Sequence, residues 1–273
     1  MTRKIEFIDL RTQQTRIKKS LDSRMAKVLS HGQYIMGPEI SELEKQLSEF
    51  TGAKHSILCS SGTDALMMAL FALGVGPGDE VITTPFTFFA TGEMVALLGA
   101  KPVFCDIDLE TYNLDPRGVE AKITSKTKAI VPVNLYGQCV DYDVFNALGK
   151  RHGIPVIEDS AQSFGASFNG KRSGALGTIG CTSFFPAKPL GCYGDAGACF
   201  TQDDALALKM RQFLNHGQET RYYHVSLGIN GRCDTLQAAI LQAKMEVFED
   251  ELKARDRIAK RYNEKIQSAV GSK

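Results

Sequence analysis

Lys188 lies in a sequence environment that is unusual for a surface lysine. Pro186 and Pro189 frame it, and a glycine-rich turn, 191–197, follows. The prolines fix the backbone and prevent a helix, so the amine is presented from a constrained loop. Schiff-base chemistry uses a lysine held in this way, with its pKa lowered by its surroundings. An ordinary charged loop is the alternative that this stretch alone leaves open.

Asp159 follows an apolar run that predicts a buried strand at 155–157. Ligands of a parallel sheet bind at the carboxyl ends of its strands, so a carboxylate there needs a cationic partner. A protonated pyridine nitrogen would serve, because the carboxylate keeps such a ring electron-withdrawing. Gln162, three residues later, could donate to an oxygen on the same ring. Asp159 could instead cap the next turn or pair with an arginine.

The stretch 60–64 lies between a predicted strand and a predicted helix and has the residues of a phosphate site. Gly62 and Thr63 at a helix start leave free N–H groups and a hydroxyl, and the helix dipole adds positive potential. Ser183, five residues before Lys188, could reach the same phosphate. A simple Ser/Thr N-cap is the competing interpretation.

Two further segments could complete a ligand site. One of the rings in the aromatic segment 84–91, which contains Phe88, could stack on a flat cofactor, although such rings also fill cores. Asn230 and Arg232, in a loop before a helix, could bind anions or could be surface residues. Together the segments provide a phosphate site, a stacking ring, a pyridinium partner and a Schiff-base lysine, which are the parts that pyridoxal 5′-phosphate needs.

The elements that must position these residues alternate between strand and helix. The predicted strands are 55–59, 80–83, 102–106, 129–133, 155–157, 180–185 and 198–201. The predicted helices are 12–31, 39–51, 64–73, 92–98, 117–123, 142–152, 203–214 and a long charged segment from 234 onward. This alternation predicts an α/β fold with a mostly parallel, seven-stranded sheet between helices.

Composition limits the classes of function. The chain has 273 residues, of which 43% are hydrophobic, and its 32 Lys and Arg nearly balance its 31 Asp and Glu. This indicates one sizeable core and argues against nucleic-acid or membrane partners. The apolar runs are too short to span a bilayer, and Met1 to Phe7 lack a signal-peptide core. Seven cysteines without a Cys-x-x-Cys pair and five unpatterned histidines predict no metal site, and favour reduced thiols in the cytoplasm.

At these motifs the chain resembles the DegT/DnrJ/EryC1/StrS family of sugar-nucleotide aminotransferases, a branch of the fold-type-I, aspartate aminotransferase-like pyridoxal-phosphate enzymes. The likeness runs from Phe7 to about Tyr262. The motifs that carry it are 37–39, 61–66, 158–165, 183–191 and 230–232. Within the family, segments 136–139, 188–195 and 216–218 resemble the branch of UDP-2-acetamido-2-deoxy-ribo-hexuluronate aminotransferases.

The resemblance implies roles for single residues. Lys188 is the expected catalytic residue, which carries the cofactor as a Schiff base and later moves a proton. The expected cofactor-binding residues are Gly62, Thr63, Phe88, Asp159, Gln162, Ser183, Lys188 and Asn230. Asn230 is expected to reach the phosphate of a neighbouring subunit, and Arg232 an acidic substrate group across the same interface. The expected active unit is therefore a homodimer with shared sites.

The resemblance also implies a reaction. L-Glutamate gives its amino group to the cofactor and leaves as 2-oxoglutarate, and the group passes to a keto sugar, a UDP-linked 3-keto-2-acetamido hexuronate, for bacterial surface polysaccharide or O-antigen. Residues 1–233 are expected to form the large domain, and 234–273 a connecting helix that starts a truncated C-terminal domain. A truncated, inactive cofactor-binding chain and an enzyme for a dTDP- or GDP-linked sugar are the alternatives. Lys188 argues against the related dehydratases, which have histidine there.

Overall fold

The structure is a computed structural model that describes Glu6 and residues 8–271. The expectations for the segment Met1 to Phe7, Glu6 apart, and for Ser272 and Lys273 lie outside the described residues. The helices are α1 Leu10–His31, α2 Pro38–Thr51, α3 Gly62–Ala72, α4 Ala90–Leu97, α5 Pro116–Glu120, α6 Tyr142–His152, α7 Asp204–Phe213 and α8 Thr235–Val270. The strands are β1 His55–Cys59, β2 Glu80–Thr83, β3 Lys101–Phe104, β4 Thr127–Val131, β5 Ile157–Asp159, β6 Ser167–Phe168, β7 Lys171–Arg172, β8 Ile179–Ser183, β9 Gly197–Thr201, β10 Gln218–Thr220 and β11 Tyr223–His224.

Seven of these strands build the central sheet. One part has the order β1-β9-β8-β5 and the other β3-β2-β4. Parallel bridges from Ile130 to Val156 and from Val133 to Asp159 join β4 to β5. Strand β9 runs antiparallel to β1 and β8, whereas the other neighbouring pairs are parallel. The predicted α/β fold with a mostly parallel sheet is therefore confirmed.

Apart from the partly exposed edge strand β3, the sheet is covered on both faces. Consecutive strand residues point to opposite sides, so one strand contributes to two core clusters. Ile57 packs into the cluster around α3, α4 and α7, while Leu58 packs into the cluster of α2 and α8. In β4, Ala129 faces the first of these clusters and Ile130 faces α6. Two apolar faces per strand explain why the sequence shows continuous apolar runs rather than alternation.

Helix α8 changes environment along its 36 residues. Its first half is part of the core, with Ala238, Leu241 and Phe248 buried against α2 and the sheet. Its second half is exposed, including Ile258 and Tyr262. The division of the chain after residue 233 stays a prediction. Among the described residues, no helix combines the length and the apolar character needed to cross a membrane.

Candidate active site

A cavity of about 480 Å³ opens at the carboxyl ends of β5 and β8, between the first turns of α3 and α4. The fold brings seven of the predicted site residues to this cavity. They are Gly62, Thr63, Phe88, Asp159, Gln162, Ser183 and Lys188. Their positions follow from the strand ends and helix starts on which they lie, which is where open α/β sheets place their ligands.

Lys188 is presented from a tight turn. Its N–H donates to the carbonyl of Phe185 at 2.8 Å, with Pro186 at the second turn position, where its fixed φ is favourable. Gly191 packs against this turn, since a Cβ there would lie 2.5 Å from the carbonyl oxygens of Phe185 and Pro186. Burial lowers the pKa of the Lys188 amine, although the negative charge of Asp159 opposes this. The amine is therefore easier to deprotonate than a surface lysine.

Asp159 is the last residue of β5 and is buried. Its Oδ1 accepts from the Ala161 N–H at 3.1 Å, and its Oδ2 accepts from the Thr91 hydroxyl at 2.9 Å. Burial raises the pKa of the carboxyl, while these two donors and the charge of Lys188 act in the opposite direction. Asp159 thus caps the next turn, as one interpretation predicted, but among the described residues it has no direct ion-pair partner. A buried carboxylate of this kind favours a cationic ligand.

The Gln162 side-chain amide has a defined orientation. The N–H of Tyr136 donates to Gln162 Oε1 at 2.7 Å, which leaves Nε2 as the group available to the cavity. Tyr136 has a φ of 55°, in the left-handed region, within a short 3₁₀ turn. Asn113 supports the turn, because it accepts from the Leu135 N–H at 3.1 Å and donates to the Gln138 carbonyl at 3.0 Å.

A buried polar network holds the back of β5. Glu158, the neighbour of Asp159, is fully buried, and its carboxylate accepts four hydrogen bonds. The donors are Asn134 Nδ2 at 2.9 Å, Ser173 Oγ at 2.7 Å, Gly174 N at 2.8 Å and Leu176 N at 2.9 Å. Burial raises the pKa of Glu158, and the four donors oppose it. Asn134 also donates its backbone N–H to the Asp159 carbonyl at 3.0 Å, so the network fixes the strand that carries Asp159.

The first turn of α3 is open toward the cavity. Ser61 caps the helix by accepting from the Asp64 N–H at 3.0 Å, so the N-cap interpretation is confirmed. The N–H groups of Gly62 and Thr63 nevertheless donate to no acceptor in the described chain. Ser183 Oγ accepts from the Phe185 N–H at 3.2 Å, which leaves its proton free to donate. Free N–H groups at a helix start, with hydroxyls beside them, suit an anion.

Phe88 comes two residues before α4 and lines the cavity with 70% of its surface exposed. The competing core interpretation is therefore wrong for this ring. A flat, exposed aromatic face beside Asp159 is available for a planar ligand.

Asn230 and Arg232 do not line this cavity. The carbonyl of Gly231, between them, accepts from the Ser60 N–H at 2.9 Å, which places the loop directly behind the α3 turn. Asn230 is exposed, and Arg232 Nη1 donates to Asn215 Oδ1 at 2.6 Å. The buried Nε of Arg232 has no hydrogen-bond partner in the part of the chain that the structure describes. Their action across a subunit interface stays a prediction.

Sequence reasoning missed residues that contact the predicted ones. Thr91 and Thr87 line the cavity on the α4 side, and Tyr136 holds Gln162. The spacing of Thr87 and Thr91 could not indicate these contacts, because Thr87 lies in the loop before α4 and only Thr91 belongs to the helix. The described residues contain no group of metal ligands, and all seven cysteines are free.

The donor set fits pyridoxal 5′-phosphate. Free N–H groups and hydroxyls suit a phosphate, a buried unpaired carboxylate suits a pyridinium, and an amine of lowered pKa suits an aldehyde. All of these groups line one cavity. Among the described residues Asp159 has no ion-pair partner and the N–H groups of Gly62 and Thr63 have no acceptor, so the cofactor would meet both needs.

Residues 15–273 of the chain match the sequence profile of the DegT/DnrJ/EryC1/StrS aminotransferase family. It is 62% identical over 259 residues to the UDP-2-acetamido-2-deoxy-3-oxo-D-glucuronate aminotransferase of Pseudomonas aeruginosa, covering 95% of this chain and 72% of that one. A solved family member from Brucella abortus superposes with a TM-score of 0.95 at 48% identity, covering 97% of this chain and 73% of that one. The Bacillus subtilis protein ntda, solved with bound cofactor pmp, gives a TM-score of 0.83 at 35% identity, covering 90% and 57%.

Proposed function

The chain belongs to the DegT/DnrJ/EryC1/StrS aminotransferase family of pyridoxal-phosphate enzymes, and on this premise we propose its substrates. It moves the amino group of L-glutamate to the 3-keto group of a UDP-linked 2-acetamido hexuronate, for a bacterial surface polysaccharide such as O-antigen. The observation that carries the proposal is that Lys188 and Asp159 meet in one cavity with the open start of α3. The name of the Pseudomonas relative supports the choice of sugar.

Lys188 is the catalytic residue of this proposal. Bound pyridoxal phosphate supplies an aldehyde carbon for the amino group and a ring that withdraws electrons. Lys188 would hold that carbon through Nζ, and its unprotonated amine would accept a proton from the substrate carbon and return it. The lowered pKa of Lys188 keeps a larger share of its amine unprotonated and able to accept a proton.

The remaining cavity residues orient the cofactor. Asp159 would hold a proton on the ring nitrogen by pairing with it, and Gln162 would donate Nε2 to the ring oxygen. Phe88 would cover one ring face and exclude water from it. Gly62, Thr63 and Ser183 would hold the phosphate end.

Asn230 and Arg232 complete the site of a second subunit in this proposal. Both lie outside the cavity of their own chain, behind the α3 turn. Asn230 would bind the partner's phosphate, and Arg232 would bind the sugar carboxylate through Nη2, since Nη1 donates to Asn215 and Nε is buried. The homodimer is thus required for activity.

Mixing two inactive variants tests the shared site. Lys188→Ala removes the catalytic lysine from the site of its own chain. Asn230→Ala removes the residue that its chain gives to the partner's site. A dimer of one variant with the other therefore keeps one complete site. With random mixing, about half of the dimers are mixed and each of these has one complete site of two. The mixture is therefore expected to show about a quarter of the wild-type activity. No recovery from a mixture that forms mixed dimers would overturn the shared site.

The cytoplasm is the proposed location. All seven cysteines are free, and six of them are buried, which suits a reducing compartment. Cell fractionation with antibody detection tests this, and recovery in an oxidising compartment would contradict it.

The substrate proposal is tested by mass spectrometry. The purified chain is supplied with pyridoxal phosphate, L-glutamate and the UDP-linked 3-keto uronate, and formation of 2-oxoglutarate and the amino sugar is expected. Lys188→Ala is the matched control, and borohydride should attach the cofactor to Lys188 in the wild type only. Arg232→Ala should reduce kcat/KM more for the uronate than for its neutral hexose analogue. Equal losses would overturn Arg232 as the carboxylate-binding residue.

A further inference from the structure

Thr91 holds the carboxylate of Asp159 from the wall of the cavity opposite β5. Its side chain is buried, and its hydroxyl donates to Asp159 Oδ2 at 2.9 Å. The Ala161 N–H donates to Oδ1 at 3.1 Å. Each carboxylate oxygen therefore has one fixed donor. The donor to Oδ1 is a backbone N–H, and the donor to Oδ2 is the side chain of Thr91.

A second hydroxyl lies behind the first. Thr87 Oγ1 and Thr91 Oγ1 are 3.0 Å apart. Since Thr91 has one hydroxyl proton and gives it to Asp159, Thr87 must donate to Thr91. The chain of dipoles from Thr87 through Thr91 points its positive end at the carboxylate, which stabilises the charged form of Asp159 in an interior that disfavours charge.

These hydroxyls also connect two parts of the cavity. Thr87 precedes Phe88, and Thr91 lies in the first turn of α4. The bond from Thr91 to Asp159 therefore ties the segment that presents the exposed ring of Phe88 to the end of β5. A shift of α4 would move the ring and release the carboxylate together.

We propose that Thr91 is a positioning residue that keeps Asp159 ionised and aimed at the ring nitrogen of the cofactor, with Thr87 supporting it. The proposal rests on the cofactor placement proposed above. A threonine that only stabilised the start of α4 would have no effect on the charge of Asp159. The proposed role of Thr91 depends on the ring nitrogen, so a cofactor analogue without this nitrogen can isolate it.

The test compares binding of pyridoxal phosphate with binding of 1-deazapyridoxal phosphate, in which carbon replaces the ring nitrogen. Thr91→Val keeps the shape and removes the hydroxyl, and Thr91→Ser restores the hydroxyl. Thr83→Val is the matched control, because Thr83 is equally buried and donates to the Val131 carbonyl at 2.8 Å instead. Affinities are measured by absorbance or fluorescence titration of the cofactor-free protein.

The wild type is expected to prefer pyridoxal phosphate over the analogue. Thr91→Val should lose about tenfold in affinity for pyridoxal phosphate and little for the analogue, since a hydrogen bond to a charged group is lost. Thr91→Ser and Thr83→Val should keep the wild-type preference. In a ¹³C NMR titration of the cofactor-free protein, the pKa of Asp159 should be higher in Thr91→Val than in the wild type.

Other outcomes are decisive as well. A Thr91→Val protein that keeps the wild-type preference, even with weaker binding of both compounds, would overturn the role of Thr91 and leave the proposed function intact. A wild type without any preference would overturn the pairing of Asp159 with the ring, and the inference with it. Should Thr91→Val not fold, Thr87→Val provides the same comparison, with an expected loss of about threefold.

Discussion

Gly62 and Ser183 approach so closely that no side chain fits between them. A Cβ on Gly62 would lie 2.6 Å from the Ser183 Cβ and 3.2 Å from its Oγ. The absence of a side chain lets strand β8 bring the Ser183 hydroxyl over the open N–H groups of the α3 turn. This contact sets the width of the proposed phosphate site.

Gly62→Ala is expected to weaken cofactor binding. The added methyl must push the α3 turn away from Ser183, which separates the hydroxyl from the N–H groups. We expect a loss of at least about tenfold in affinity for pyridoxal phosphate and about 1 to 3 kcal/mol in the free energy of unfolding. Cofactor titration and urea unfolding measure the two effects.

Gly76→Ala is the matched control, because a Cβ there meets no atom within 4 Å and the glycine does not have a positive φ. It should leave the affinity unchanged. A Gly62→Ala protein that binds the cofactor as tightly as Gly76→Ala would contradict the proposed phosphate site.

The predicted cavity residues could be recognised from sequence because each one follows a strand or starts a helix. Asp159 shows that such a prediction tolerates an error in the strand boundary. The strand was predicted at 155–157 and found at Ile157–Asp159, yet the carboxylate still lies at the strand end. Similarly, α3 begins at Gly62 rather than Asp64, because Ser61 caps it. Small errors in boundaries do not move a residue to another edge of the sheet.

Pairing between distant segments could not be predicted. Strand β9 inserts between β1 and β8 and runs antiparallel to both, although its apolar pattern resembles that of a parallel strand. Apolar runs report burial, not the identity of the neighbour. The contacts of Thr91 with Asp159 and of Tyr136 with Gln162 join segments that follow β2, β4 and β5, so they depend on the pairing of β4 with β2 and with β5. The hairpins β6–β7 and β10–β11 were missed because strands of two or three residues carry no readable period.

Asp159→Asn should lower the pH at which Lys188 becomes reactive. The charge of Asp159 raises the pKa of Lys188, while burial lowers it, so removing the charge leaves burial unopposed. Reductive methylation of the cofactor-free protein, followed by mass spectrometry, measures the pH midpoint at Lys188. We expect a midpoint below the ordinary lysine value of 10.5 in the wild type and a lower one in the variant. The exposed lysines of the same sample report the reagent's own pH dependence, and a higher midpoint in Asp159→Asn would refute the argument.

Lys244→Met is expected to stabilise the protein at neutral pH. Lys244 is 1% exposed, its amine lies 4.4 Å from the centroid of the Tyr193 ring, and no carboxylate pairs with it among the described residues. Burial lowers the pKa of its amine to about 8. Charging it in the folded state costs free energy, which the contact with the ring offsets in part. We expect a gain of about 1 to 3 kcal/mol in the free energy of unfolding at pH 7.

The gain from Lys244→Met should shrink as the pH rises. Between pH 8 and 10.5 the unfolded wild type holds a proton on Lys244 that the folded protein has released, so raising the pH stabilises the wild type. The variant has no amine at this position and so lacks this dependence on pH. Urea unfolding at pH 7 and 10 measures the difference, and Lys253→Met, on the exposed side of the same helix, should show no comparable change. A gain that grows with pH would contradict the assignment.

Gln162→Glu tests the orientation that Tyr136 gives to the amide. A glutamate can still accept from the Tyr136 N–H, but it presents a second oxygen where Gln162 presents Nε2. An oxygen there would repel the ring oxygen of the cofactor, whereas Gln162→Met only removes the hydrogen bonds. We therefore expect Gln162→Met to bind pyridoxal phosphate about tenfold more weakly than the wild type, and Gln162→Glu more weakly still. Equal affinities of the two variants would mean that Nε2 does not face the ring, since a negatively charged oxygen at that position would then bind the cofactor no worse than an uncharged group.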